Sequence, residues 1–349
     1  MTPAPEPLIF DGHNDLLLRL WKGGPSAVDS FATGSSGHID RPRAVQGGFA
    51  GGLFAIFVPG NADFDMSALT QSSYDLAEPP ELEQADALEV TLSQANILLE
   101  LDRRGDLTLC RGAGDIRKAM AAGQIAAVMH LEGAEAIDPE LEQLDVLYDL
   151  GLRSVGPVWS RRTAFGFGVP FRFPGDGDVG PGLTTAGKAL AVRAQAKGMV
   201  FDTSHLNVAG FWDAAELGLP LVATHSNAHA VCPHSRNLFD DQLRAIGETG
   251  GMVGLNLATA FLRPDGRMVP DGAMEPLIRH LDHMIALAGE EHVGLGSDFD
   301  GALVPEEIGS VAGLDALRGA MIQAGYGKAL IERLCHGNWV SAIERIVGA

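Results

Sequence analysis

Five short apolar runs, spread over almost the whole chain, each stop at a side chain that can bind a metal or carry a proton. Leu8-Ile9-Phe10 leads into Asp11-Gly12-His13-Asn14-Asp15. The run from Ala126 stops at Glu132, that from Met199 at His205, that from Leu221 at His225, and that from Val293 at Asp298. Parallel strands buried on both faces read as continuous apolar segments rather than as alternating ones. In an α/β barrel the residues at the carboxyl ends of such strands meet at one rim, where the active site is built. One ending of this kind means little; five point to a hydrolytic metal centre.

The rest of the chain supplies the units a barrel needs. Strand candidates begin at Leu8, Leu53, Ile125, Ser154, Met199, Leu221, Met252 and His292. Apolar spacing predicts helices over 81–104, 115–122, 139–150, 185–197, 208–216, 240–248, 275–288, 314–323 and 328–346. Parallel strands need crossovers, normally helices. About eight such cycles predict one closed (β/α)8 barrel over residues 1–349, a single domain, rather than an open doubly wound sheet. An open nucleotide-binding sheet calls for a Gly-rich phosphate loop after its first strand, and the segment from Asp11 to Asp15 does not fit one. Two Gly/Pro-rich stretches, Asn61 to Pro80 and Gly166 to Gly182, read as long loops of the kind that serve as lids or binding loops.

Composition narrows the function classes. The 349 residues carry a formal net charge of -20, from 25 basic and 45 acidic side chains, which argues against nucleic acid as a partner. No run approaches the roughly 18 apolar residues of a membrane span. The segment Met1 to Pro7 is Pro-rich and lacks the basic and apolar regions of a secretory signal. Cys110, Cys232 and Cys335 lie far apart and form no CxxC, so neither a disulfide framework nor a cysteine nucleophile is expected. A cytoplasmic location is the simplest expectation.

His13 and Asp15 are two residues apart, which on a strand puts both on one face, and imidazole with carboxylate suits zinc and similar ions. Alone the pair could equally be a turn, with Asp15 capping the next helix. Glu132 ends a buried run, where a carboxylate is costly unless paired or metal-bound, and its two oxygens could each hold a different ion. His130 reads as packed core or as a support for a ligand, and Glu135 as solvent-exposed. His205 and His225 are one βα unit apart, so adjacent strands bring them to one rim. Each alone reads as a core histidine; with His13 and Asp15 they read as ligands. Asp298 stands where a carboxylate beside a metal-bound water serves as general base and then general acid. Asp300 reads as a loop or capping residue, and His229 and His234 as loop histidines. His38, His280, His283, His292 and His336 read as structural. Arg236 could hold an anionic substrate group by a bidentate contact, but from the residues alone a surface ion pair with Asp240 or Asp241 is the preferred reading.

These residues resemble those of the membrane (renal) dipeptidase family, peptidase family M19, a branch of the metal-dependent amidohydrolase-like barrels. The most specific stretch is Leu131-Glu132-Gly133-Ala134-Glu135-Ala136-Ile137, followed by Leu144, Tyr148, Gly151, Leu152 and Arg153. The segments Phe10 to Leu16, Asp202 to His205, Thr224 to Ser226, Ser235 to Asn237 and Ser297 to Gly301 match its other landmarks in order. The likeness covers roughly Leu8 to Trp339 and implies a zinc-dependent dipeptidase with two Zn2+ per chain. His13 and Asp15 bind one ion, His205 and His225 the other, and Glu132 bridges them. A hydroxide shared by the metals attacks the peptide bond, Asp298 shuttles the proton, and Arg236 holds the substrate's C-terminal carboxylate, overturning the surface reading. The resemblance further implies a homodimer and a substrate range that extends to L-Xaa-D-Xaa dipeptides. Mammalian members carry a histidine at the end of the fourth strand that is thought to stabilise the oxyanion. Here Trp159 stands in its place, leaving the Trp159 N–H, Arg161 or Arg162 as alternative donors to substrate. Ser341 is a second departure, where many relatives have arginine. The rivals are another amidohydrolase activity, such as a deaminase or lactonase, and a non-catalytic binding protein. Deaminases usually present His-x-His on the first strand, and a binding protein would show a broken ligand set; neither pattern is found.

Overall fold

In the computed structural model, which describes residues 7–60 and 66–349, eight parallel strands form a ring. They are β1 (Ile9–Asn14), β2 (Phe49–Phe57), β3 (Ala126–Glu132), β4 (Leu152–Gly156), β5 (Val200–Phe201), β6 (Val222–Ala223), β7 (Met252–Leu255) and β8 (Val293–Leu295). Hydrogen-bonded neighbours follow the order β5-β4-β3-β2-β1-β8-β7-β6. The two free edges meet at a single parallel bridge, Asp202 with Val222, which closes the ring. The fold is the expected (β/α)8 barrel. The expected loop from Asn61 to Pro80 and the N-terminal segment Met1 to Pro7 fall partly outside the described residues.

The first strand is irregular at the point that matters. Asp11 lies opposite Gly52 and Asn14 opposite Phe54, so β1 uses one residue more than β2 over that interval. This is the count of a bulge, which re-aims the side chains that follow it. Phe10 and Gly12 face the barrel interior: a Cβ on Gly12 would meet the Trp339 ring and the carbonyl oxygens of Thr224 and Leu295. Strict alternation would send His13 outward. The extra residue turns it inward too, where its ring stacks on that of His225 with centroids 3.8 Å apart.

Two apolar layers hold the barrel. The outer one lies between strands and helices and includes Leu17, Leu98, Leu131 and Leu255. The inner one fills the amino-terminal half of the barrel with Phe10, Leu53, Val128, Val200, Val222 and Met252. Trp339, 1% exposed, plugs that end from the last helix (Asn338–Ile346) and donates from Nε1 to the Leu295 carbonyl at 2.7 Å. The floor is thus apolar, and the polar side chains of interest gather at the opposite rim.

Several helix boundaries differ from the sequence expectation. Leu16–Ser30 is helical, interrupted by a kink at Gly24 (φ 69°, ψ -169°), and that Gly-Gly-Pro break hid its apolar spacing. Arg41–Gly47 is a second unexpected helix, started by the Asp40 carboxylate accepting from Arg43 N at 2.9 Å. The helix expected from Pro139 begins at Glu142, because Leu141 adopts φ 68° and Asp138 to Leu141 is a turn. The closing helix, expected unbroken over 328–346, contains a π-helical turn, Arg333–Gly337.

The Trp339 plug makes a direct prediction. Trp339→Ala should lower unfolding free energy by about 3–5 kcal/mol, the usual effect of removing a buried tryptophan. Urea unfolding followed by circular dichroism measures this; a loss below about 1 kcal/mol would show that the plug is not a principal contact.

Candidate metal centre

The residues expected to gather do so at the carboxyl rim. His13 follows the bulge of β1, and Asp15 precedes the first helix as its N-cap residue but makes no capping hydrogen bond through its side chain. Glu132 is the last residue of β3. His205 and Asp298 lie three or four residues past β5 and β8, and both adopt positive φ, 64° and 61°. Non-glycine residues rarely hold that conformation, and its cost is tolerated where a site demands a particular side-chain direction.

The glutamate lies between two groups. Glu132 Oε2 is 3.6 Å from His13 Nε2, which is itself 3.5 Å from Asp15 Oδ2. Glu132 Oε1 is 3.0 Å from His205 Nε2 and 3.4 Å from His225 Nε2. The two carboxylate oxygens therefore serve opposite sides. Ligand atoms within 4.8 Å of one another define two triads, His13–Glu132–His225 and His13–Asp15–Asp298. Their members are all expected residues, but the triads share His13 and divide the set differently from a strict pairing of His13 with Asp15 and of His205 with His225. Neither ring nitrogen of His13 has a hydrogen-bond partner, although the ring is fully buried. Such an orphan is costly, and a cation among these donors would satisfy it. The donor set fits a divalent metal.

Electrostatics lead to the same reading. Burial, then repulsion from Asp15 and Asp298, holds Glu132 well above the ordinary carboxylate range. Burial raises Asp15 to about 7 and Asp298 to about 6, with the neighbouring acids adding to each. Burial pushes His13 down and holds His205 and His225 well below the usual imidazole value. Without a cation the acids are driven toward protonation and the histidines toward neutrality; positive charge would reverse the first and make use of the second.

Arg236 is buried beside this cluster, not on the surface. Its Nη2 donates to the His225 carbonyl at 3.1 Å, its guanidinium lies 5.7 Å from the Phe261 ring centre, and its Nε has no partner. The preference for an ion pair with Asp240 or Asp241 is thereby corrected; Asp240 instead meets His283 at 2.7 Å. Glu135 also departs from expectation. It is 6% exposed and takes Arg161 Nη2 at 2.6 Å and Nε at 2.9 Å. Arg161 is thus held in place, while Arg162 is half exposed and pairs with Glu81 at 3.2 Å. Trp159 stands three residues past β4 and forms a wall of the site, its ring 5.0 Å from Phe57, 5.5 Å from Phe171 and 5.7 Å from His205. His130 is packed core, bonded to Ser154 at 2.8 Å. His229 and His234 lie in loops, and Asp300 anchors Arg19 at 2.9 Å.

The sequence reading missed several neighbours. Asn256 donates to Asp298 Oδ2 at 3.0 Å and lies one residue past β7, so the strand-ending rule that found Glu132 could have found it. Phe57, Phe171 and Phe261 line the cleft above Glu132 and Asp298 together with Leu18 and Met66. They come from a strand end, a loop and short or long helices far apart in sequence and carry no local signal.

The sequence model for the membrane dipeptidases, peptidase family M19, matches residues 5–347. The chain belongs to peptidase family M19. This M19 chain, a metallo-dipeptidase, shares its fold with solved members. A metallopeptidase from Rhodobacter sphaeroides, crystallised with a phosphinate mimic of the dipeptide L-Ala-D-Ala, is 49% identical, with a TM-score of 0.95 over 97% of this chain and 99% of the other. The M19 metallopeptidase dipeptidase AC is 50% identical, with a TM-score of 0.95 over 98% and 99%. An amidohydrolase from Pseudomonas aeruginosa is 18% identical with a TM-score of 0.75 over 98% and 97%, a likeness of fold alone.

The raised acids fix a pH dependence. Each has a folded pKa above its unfolded value, so the metal-free fold retains protons the unfolded chain has released and loses stability as pH rises toward the folded value, about 7 for Asp15. The lowered histidines act oppositely, because the unfolded imidazoles still bind protons near their ordinary value of 6.5, and this opposition fades about one pH unit above it. Above about pH 7.5 the raised acids remain, Glu132 foremost. Metal-free protein should therefore melt at lower temperature at pH 9 than at pH 7.5, and an added divalent metal should stabilise it more at pH 9. A metal-free melting temperature that rises over this interval would contradict the assignment.

Proposed function

We propose that this M19 enzyme hydrolyses dipeptides bearing a free C-terminal carboxylate, L-Xaa-D-Xaa among them, at a centre of two zinc ions. The observation that carries the reading is the division of Glu132, one oxygen toward His13, itself beside Asp15, and the other toward His205 and His225. In this reading His13 and Asp15 hold one ion, His205 and His225 the other, and Glu132 both. Bound zinc supplies Lewis acidity and lowers the pKa of a water.

The chain's own groups do the rest. Asp298, held by Asn256 on Oδ2 and poised near neutrality by burial, takes a proton from the attacking water and delivers it to the leaving amine. Arg236, whose Nε lacks a partner, receives the substrate's carboxylate. That restricts substrates to short peptides whose terminus reaches it. Trp159, with Phe57 and Phe171, bounds the cleft and excludes water from the reacting bond. Acceptance of a D-residue on the C-terminal side is supported by the ligand of the Rhodobacter sphaeroides relative, a mimic of L-Ala-D-Ala.

Two substitutions separate the roles. Asp298→Asn should lower kcat by about 100-fold or more while metal content by elemental analysis stays at two per chain. Near wild-type turnover would remove Asp298 as the shuttle, and about one metal per wild-type chain would remove the two-ion centre. Arg236→Met should raise KM for L-Ala-D-Ala by about 10- to 100-fold, the worth of a charge-assisted contact. On the C-terminal amide of that dipeptide, Arg236→Met should equal wild type; an equal loss on acid and amide would show that Arg236 does not read the carboxylate.

A further inference from the structure

The barrel is weakest in backbone pairing where two of its three expected histidine ligands stand. β5 and β6 are two residues each and meet at one bridge. Side chains stitch this seam instead. Asp202 Oδ1 accepts from Thr224 N at 2.9 Å and Ser204 N at 3.0 Å. Thr203 Oγ1 donates to the Val222 carbonyl at 2.8 Å, and His225 N donates to Ser204 Oγ at 3.1 Å. All these groups are buried.

One bond in the seam settles a proton position. Thr224 Oγ1 lies 2.7 Å from Asp202 Oδ2 and 2.8 Å from His225 Nδ1. Asp202 already accepts two backbone N–H groups on Oδ1, and its Oδ2 is the shortest of the contacts of Thr224 Oγ1, with Ser204 Oγ farther off at 3.3 Å, so the single hydroxyl proton of Thr224 goes to Asp202 Oδ2. Thr224 Oγ1 must then accept from His225, which places the imidazole proton on Nδ1. His225 Nε2, the atom facing Glu132 and His205, is left as a bare lone pair. A ligand nitrogen must be unprotonated to bind a metal.

We infer that Asp202 and Thr224 are positioning residues that hold His225 in its metal-binding tautomer, and that the same two side chains close the barrel between β5 and β6. The inference rests on the ligand reading of His225 given above. It goes beyond it by naming the groups that prepare that ligand before any metal arrives. It also predicts a direction: Asp202→Asn puts an N–H₂ opposite Thr224, which can reverse the relay and drive the His225 proton onto Nε2.

Zinc affinity measured by chelator competition tests this, alongside long-range 1H–15N spectra of the histidines in metal-free protein. Thr224→Val should weaken one of the bound zinc ions by about 10- to 100-fold, the usual effect of losing a group that orients a ligand. Thr224→Ser should restore it, and Asp202→Asn should weaken it despite its unchanged shape. In wild type the spectra should show His225 protonated on Nδ1, and in Asp202→Asn on Nε2. A purely structural role would lower the melting temperature of Thr224→Val but leave zinc affinity unchanged, and that result overturns the inference. So does a wild-type His225 proton on Nε2. His225→Ala separates the two claims: if it binds zinc like wild type, the ligand assignment fails, while the nitrogen spectra still decide the relay on their own.

Discussion

Everything at the rim follows from one buried carboxylate. Glu132 ends a strand that is buried along its whole length, in a ring of other acids and unprotonated imidazoles. Taking an ionised group out of water costs several kcal/mol unless opposite charge or donors replace the solvent. Arg236 alone supplies part of that, and itself loses basicity, falling to about 10 through burial. The remaining deficit is what makes the cluster a cation site. The bulge in β1, the positive φ at His205 and Asp298, and the unpartnered nitrogens of His13 are each unfavourable locally, and each brings a donor toward the same point. Local cost concentrated at one place in an otherwise regular barrel is the physical mark of a functional site.

The barrel separates its two tasks along its axis. The amino-terminal half is apolar, filled by Phe10, Leu53, Val128 and Met252 and stopped by Trp339. The carboxyl-terminal half is polar and carries the acids and imidazoles of the cluster, some of them unpartnered. An apolar floor keeps the local dielectric low beneath the acids, which strengthens their coupling to any cation bound there.

The fold was legible in the sequence because buried parallel strands are continuous apolar runs, and the centre was legible because those runs stop at polar residues. The same rule applied once more would have caught Asn256. What could not be read were matters of tertiary placement. Glu135 has no strand beneath it and looks exposed, yet the loop carrying it folds under Arg161. Arg236 looked like a surface partner of Asp240 because sequence proximity was its only visible cue. The bulge at Gly12 and His13 is a register property of two strands, invisible in either alone. Simple alternation put His13 and Asp15 on one face, which they do share, without revealing that the shared face is reached only through the extra residue.

The Arg161–Glu135 pair ties two parts of the rim together. The Arg161 guanidinium lies behind the aromatic wall, 5.6 Å from the Trp159 ring centre and 5.9 Å from that of Phe57, and it also donates to the Val58 carbonyl at 2.9 Å. Its counter-ion Glu135 is three residues past Glu132, in the loop that leaves β3. The aromatic wall and the strand end that carries Glu132 are therefore braced by one charged contact. The side chain at position 159 and the footing of Glu132 share a support, so neither is packed independently of the other.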